Sequence, residues 1–111
     1  MRKLIIAAFM FVSSFGSNVM ADGHAIKMGI ILGFTGPIES LTPAMAASAE
    51  LAFKEASDSG SLLGGKYIKP IRADSTCVDS AAATAAAEGV ISQGVAAIMG
   101  ADCSGVTGAI A

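Results

Sequence analysis

Apolar residues fall in short runs broken by glycine, proline and small polar residues, and the spacing alternates between two periods along the chain. Ile26-Lys27-Met28-Gly29-Ile30-Ile31-Leu32 is almost continuously apolar and rich in β-branched residues. That is the pattern of a strand buried on both faces of a parallel sheet. Gly33-Phe34-Thr35-Gly36-Pro37 interrupts it with turn chemistry. Thr42-Pro43 then reads as an N-cap followed by proline at the first helical position, where a missing amide proton costs nothing. Met45, Ala49, Ala52, Phe53 and Ala56 recur at helical spacing opposite Glu50, Lys54 and Glu55, and Asp58-Ser59-Gly60 closes the helix.

A second unit repeats the pattern. Gly64-Gly65 is a turn, and residues 67–73 read as a strand containing Pro70. Proline cannot donate to a ladder and so belongs on an edge strand. Asp79 is placed to cap a helix running through Ser92, with Ala83, Ala87, Val90 and Ile91 as its buried stripe and Gly94 at the C-terminal stop. Residues 95–99 form a third short strand, 100–104 a loop, and a third helix opens there. This β-α-β-α-β-(α) order predicts an α/β fold, a doubly wound parallel sheet with helices on both faces and right-handed crossovers. The common strand order 2-1-3 puts the Pro70 strand at the edge.

The first residues follow a different logic. Met1-Arg2-Lys3 is basic, residues 4–12 are apolar, residues 13–18 are small or polar apart from Phe15, and Val19-Met20-Ala21 fits a signal-peptidase site. Residues 1–21 are therefore expected to be a cleavable signal peptide. An uncleaved anchor is the competing reading, but the apolar run is shorter than the roughly 20 residues a bilayer requires. No cysteine follows the cleavage position, so a lipid anchor is not expected. The far end, Gly105-Val106-Thr107-Gly108-Ala109-Ile110-Ala111, opens an element without a closing signal. Residues 22–111 are accordingly expected to be the first part of a longer lobe.

Composition narrows the chemistry. Without Arg2 and Lys3 the formal charge moves from −2 to −4. That mild acidity argues against nucleic acid and against an anionic membrane surface as partners. Aromatic residues make up only 5% of the chain, so small residues dominate the packing and few side chains can do chemistry. Cys77 and Cys103 are the two cysteines. An even count in an exported protein favours a disulfide. Two free thiols or a metal pair are the alternatives, although no histidine or further cysteine lies nearby to complete a zinc site. Parent strands separated by the first strand would stand about 10 Å apart, while a disulfide needs Cα atoms within about 7 Å. A bond between the two cysteines thus requires their loops to bend together over the first strand.

In a sheet of this kind ligands bind beyond the carboxyl ends of the strands, where the strand order reverses. Two loops take that place, 34–42 after the first strand and 100–107 after the third. Both are rich in Gly, Ser and Thr and both run into helix N-termini, whose free amides and positive dipole end suit a carboxylate or phosphate. Ser104 and Thr107 add hydroxyls there, and the plainer reading of Ser104 is an N-cap.

From Ile26 to Ala111 the chain resembles the branched-chain amino acid-binding protein family of type I periplasmic receptors. Gly36-Pro37 after the first strand, the segment Asp74-Ser75-Thr76-Cys77, and Gly100-Ala101-Asp102-Cys103-Ser104 carry the resemblance. It implies the amino-terminal lobe of a two-lobed clamp that closes on its ligand by a hinge. It also implies a disulfide between Cys77 and Cys103, and a ligand-binding set of Leu41, Ser104, Gly105 and Thr107, with Ser104 holding the solute carboxylate. Family members often place an aromatic residue where Leu41 falls, and this departure bears on the solute. The implied partners are a small solute (an amino acid or related carboxylate) and the permease of an ABC importer in the inner membrane, with no cofactor. Aromatic acids and amides are other solute classes of the broad family, and a sensory or regulatory receptor domain is the alternative role.

The residues argue against two other functions. Cys103-Ser104-Gly105 lacks the glycines a hydrolase nucleophile elbow needs where Asp102 and Val106 stand, and His24, the one histidine, lies in the N-terminal tail. Gly33-Phe34-Thr35-Gly36 does not match the dinucleotide fingerprint, and Pro37 obstructs the helix entry.

Overall fold

The computed structural model describes Gly23 and residues 25–111. The expected signal peptide and His24 lie outside the described residues. Strand β1 (Ala25–Leu32) pairs in parallel with β2 (Tyr67–Asp74) and with β3 (Ala97–Gly100), in the order β2-β1-β3. The register aligns the carboxyl ends, Leu32 opposite Asp74 and Ile31 opposite Gly100. Helices α1 (Thr42–Asp58), α2 (Ser80–Ile91) and α3 (Ser104–Ile110) follow the three strands in turn. The fold is the doubly wound α/β arrangement that the apolar spacing predicts.

Alternation along β1 explains the two layers. Ile30 and Leu32 face one side with Ala46 of α1, joined by Phe34, Ala49, Phe53 and Met99. Ile31 faces the other with Ala87 and Val90 of α2, joined by Ile71, Ala73, Val95, Ile98, Ala101 and Ile110. Crossovers of one hand that step first to β2 and then back past β1 to β3 must place α1 and α2 on opposite faces. Gly29 lets α2 settle close, since a Cβ there would stand 2.6 Å from Val90 Cγ1. Pro70 lies on β2, the edge strand opposite β3.

The structure corrects several local expectations. Thr42 is the first residue of α1 and is fully buried, and Leu41 holds the cap position. The Thr42 hydroxyl donates to the Gly33 carbonyl at 3.1 Å instead of capping α1. That inward turn sets the phase of α1, so its packed stripe is Thr42, Ala46, Ala49 and Phe53, while Met45 and Ala52 are exposed. Glu50, expected on the outer face, is half-buried and forms a two-bond pair with Arg72 of β2, at 2.6 and 2.7 Å. The Arg72 guanidinium lies 5.6 Å from the Phe34 ring centre. In α2, Ala83, Ala87 and Val90 are buried as expected, but Ile91 is exposed. Asp79 does cap α2, accepting from the Ala81 and Ala82 amides at 2.9 and 3.0 Å. The third strand covers 97–100, not 95–99, although the Ala96 amide still donates to the Lys27 carbonyl at 2.8 Å.

Candidate functional site

Three loops meet beyond the carboxyl ends of the strands: residues 33–41, residues 75–79 and residues 101–103. Gly33 sits at their centre and is buried. Its carbonyl accepts from Thr42, and its amide donates to Asp102 Oδ2 at 2.9 Å. Cys77 packs directly over it, where a Cβ on residue 33 would come within 3.1 Å of the Cys77 Cβ. The disulfide between Cys77 and Cys103, with Cα atoms 5.3 Å apart, therefore passes over the end of β1.

Asp74 joins the first loop to the second. Its Oδ1 accepts from the Thr35 and Thr76 amides at 3.2 and 2.8 Å, and its Oδ2 accepts from the Thr35 hydroxyl at 2.6 Å. Burial alone would raise the Asp74 pKa, but the bonds from the Thr35 hydroxyl and the two amides outweigh it and hold the carboxyl below its usual value. Held this way, Thr76 and Cys77 take φ of +58° and +69°, the left-handed region that side chains avoid. Gly36 adopts φ +96° where the first loop crosses the second, with Thr76 O only 2.4 Å from where a Cβ would lie. Ser75 Oγ and Asp102 Oδ1 are buried without a hydrogen-bond partner.

The expected ligand residues are distributed around this cluster. Ser104 and Gly105 open α3, behind the Cys103 cap, and both are exposed. The first helical bond of α3 runs from the Thr107 amide to the Cys103 carbonyl at 2.9 Å, so the amides before it are the free ones. Thr107 is turned inward. Its hydroxyl reaches the Ala101 and Cys103 carbonyls at 2.7 and 2.9 Å, which commits its one proton within the loop. Leu41 is 60% exposed at the start of α1, on the other face of the sheet from α3 but at the same edge. Asp74, Asp102 and Thr42 are parts of the cluster to which the sequence alone assigned no such role. An Asp two residues before Thr76 is a signal for an Asx turn, whereas nothing local marks the bond from Asp102 to an amide 69 positions away.

A groove of about 490 Å³ lies elsewhere, between α1 and the first half of β2, lined by Glu50, Phe53, Lys54, Tyr67 and Pro70 among others. It is remote from the loops, at the amino end of the strands. Among the described residues no cluster of three or more His, Cys, Asp or Glu could hold a metal ion, and no helix is long and apolar enough to cross a membrane.

A short parallel sheet wound on both faces, with its loops gathered and cross-linked at the carboxyl edge, is the arrangement in which open α/β sheets bind ligands. Residues 25–111 match the family model described as periplasmic binding protein, and the chain belongs to that family. None of the curated proteins searched matches the chain.

Proposed function

We propose that this protein is the substrate-binding component of an ABC importer, exported to the periplasm by a signal peptide at residues 1–21, and that it binds rather than transforms its solute. Membership of the periplasmic binding protein family carries this reading. The solute is a small carboxylate-bearing molecule such as a branched-chain or other amino acid. Ser104 and Gly105 serve its carboxylate, through the Ser104 hydroxyl and the free amides that open α3. Thr107 supports them from behind, since its proton is spent on Ala101 and Cys103. Leu41 offers an exposed aliphatic surface to the apolar part of the solute, which favours an aliphatic side chain over one that needs an aromatic platform. Residues 22–111 are the first part of the amino-terminal lobe, and a second lobe supplies the facing wall.

The test is a thermal-shift screen of the full-length protein against amino acids such as L-leucine and L-glutamate, aromatic acids such as benzoate, and amides such as acetamide. A solute at a thousandfold excess over Kd adds about 4 kcal/mol to stability, a shift that is easily seen. The compound that shifts wild-type protein should bind Ser104→Ala more weakly by about 1.5–3 kcal/mol, the range for a hydrogen bond to a charged group. Equal affinity would confine Ser104 to the surface of α3. No shift with any class would transfer the reading to a sensory or regulatory receptor of the same fold.

A further inference from the structure

Three ties, two made by carboxylate hydrogen bonds and one by a disulfide, join the three carboxyl-edge loops pairwise. Asp74 ties the first loop to the second through Thr35 and Thr76. The disulfide ties the second to the third. Asp102 ties the third back to the first through the Gly33 amide at 2.9 Å. The circuit is closed, and β1 ends inside it.

Two features set this apart from ordinary loop packing. The second loop is held with Thr76 and Cys77 in the left-handed region, a conformation that persists only where the surroundings impose it. Asp102 also keeps Oδ1 buried without a partner, a cost that a residue retained for packing alone would not incur. What the side chain obtains in return is its one bond to Gly33.

We propose that Asp74 and Asp102 are positioning residues, which with the disulfide lock the three loops into one rigid ring before any solute arrives. This rests on the solute-binding reading above. Neither carboxylate needs to touch the solute. Asp102 directly precedes the Cys103 cap of α3, so its bond to Gly33 fixes where Ser104 and Gly105 stand, and Asp74 fixes the loop that leads to Leu41. Preorganisation of this kind raises affinity by removing the ordering cost of binding.

A ring behaves differently from three independent struts. Once one tie is cut, the remaining two no longer close a circuit, so a second cut costs less than the first. Independent ties would give losses that multiply.

The first readout needs no solute: the rate at which dithiothreitol reduces the Cys77–Cys103 bond in the full-length protein, followed by thiol trapping. Asp74→Ala and Asp102→Ala should each speed reduction about tenfold, as expected for losing a hydrogen bond to a charged group. The double variant should be little faster than either single one. Asp74→Asn and Asp102→Asn keep a carbonyl acceptor and should restore most of the wild-type rate, which also separates the effect from misfolding. Unchanged rates, or rates that multiply in the double variant, would overturn the ring. The second readout is affinity for whichever screened compound shifts the wild-type protein, which should fall about tenfold in each Ala variant. Wild-type affinity in both would overturn the positioning role and leave the solute reading standing.

Discussion

Asp74 shows how one carboxylate can make a loop cluster sensitive to acid. The Thr35 hydroxyl and the Thr35 and Thr76 amides donate to it, and the Phe34 amide adds to their effect. They favour the ionised form, so the folded pKa lies below that of the unfolded chain, which is about 3.9. A depressed carboxylate contributes stability that is fully present above the unfolded value and is lost as pH falls through the folded one. Its window is therefore below about pH 4. Asp74→Asn should lower stability at neutral pH and flatten the decline below about pH 4, as read from urea midpoints measured from neutral pH down into that range. The Glu50 carboxyl is also held low, first by its hydrogen bond from Arg72, so Glu50→Gln is the matching control. A slope unchanged by Asp74→Asn and flattened by Glu50→Gln would place the acid sensitivity in the α1–β2 pair.

At the scale of elements, the packing of α2 on β1 depends on what residue 29 lacks. A Cβ at Gly29 would lie 2.6 Å from Val90 Cγ1 and 3.0 Å from Ile98 Cγ1. Gly29→Ala should destabilise the full-length protein by about 1–3 kcal/mol, the usual cost of overpacking. Val90→Ala removes the atom in the way, so the double variant should lose less than the sum of the two single losses. Equilibrium denaturation checks both, and strict additivity would mean that α2 shifts outward as a unit. This element pair was legible from the chain, because an apolar β-branched run and an Ala83-Ala87-Val90 stripe follow strict periods. The phase of α1 was not. A buried hydroxyl decides it, and Thr42 looks like a cap until its bond to Gly33 is seen. The ends of β3 were misplaced for a related reason, since Val95 packs into the core without belonging to the ladder. For the site, position was readable from topology, and the placement of Cys77 and Cys103 at one edge required loops that bend together. The Asp102–Gly33 bond was invisible, because it joins residues far apart in sequence that only the folded sheet brings together.

For the molecule as a whole, the disulfide carries a large share of what holds this region together. The described core is small: eight hydrophobic residues are buried, three of them alanines. The cysteines lie 26 positions apart, a loop whose closure in the unfolded chain accounts for about 3–4 kcal/mol in the chain-entropy view. Set against a net stability of about 5–15 kcal/mol for a typical domain, that is a substantial fraction. In exported, unreduced protein neither cysteine should react with an alkylating agent. Replacing both by serine should lower the unfolding free energy of the full-length protein by about 3–4 kcal/mol. Each single serine variant should lose at least as much, since it breaks the same bond and leaves a lone thiol. Denaturant unfolding of all three variants measures this. A loss far below that range would mean that Asp74 and Asp102 hold the loops unaided. A stability loss with solute affinity unchanged would make the bridge a staple of the fold alone. The closed circuit of loops predicts that stability and affinity fall together, because the bond that shortens the unfolded chain also fixes the rim on which Ser104 stands.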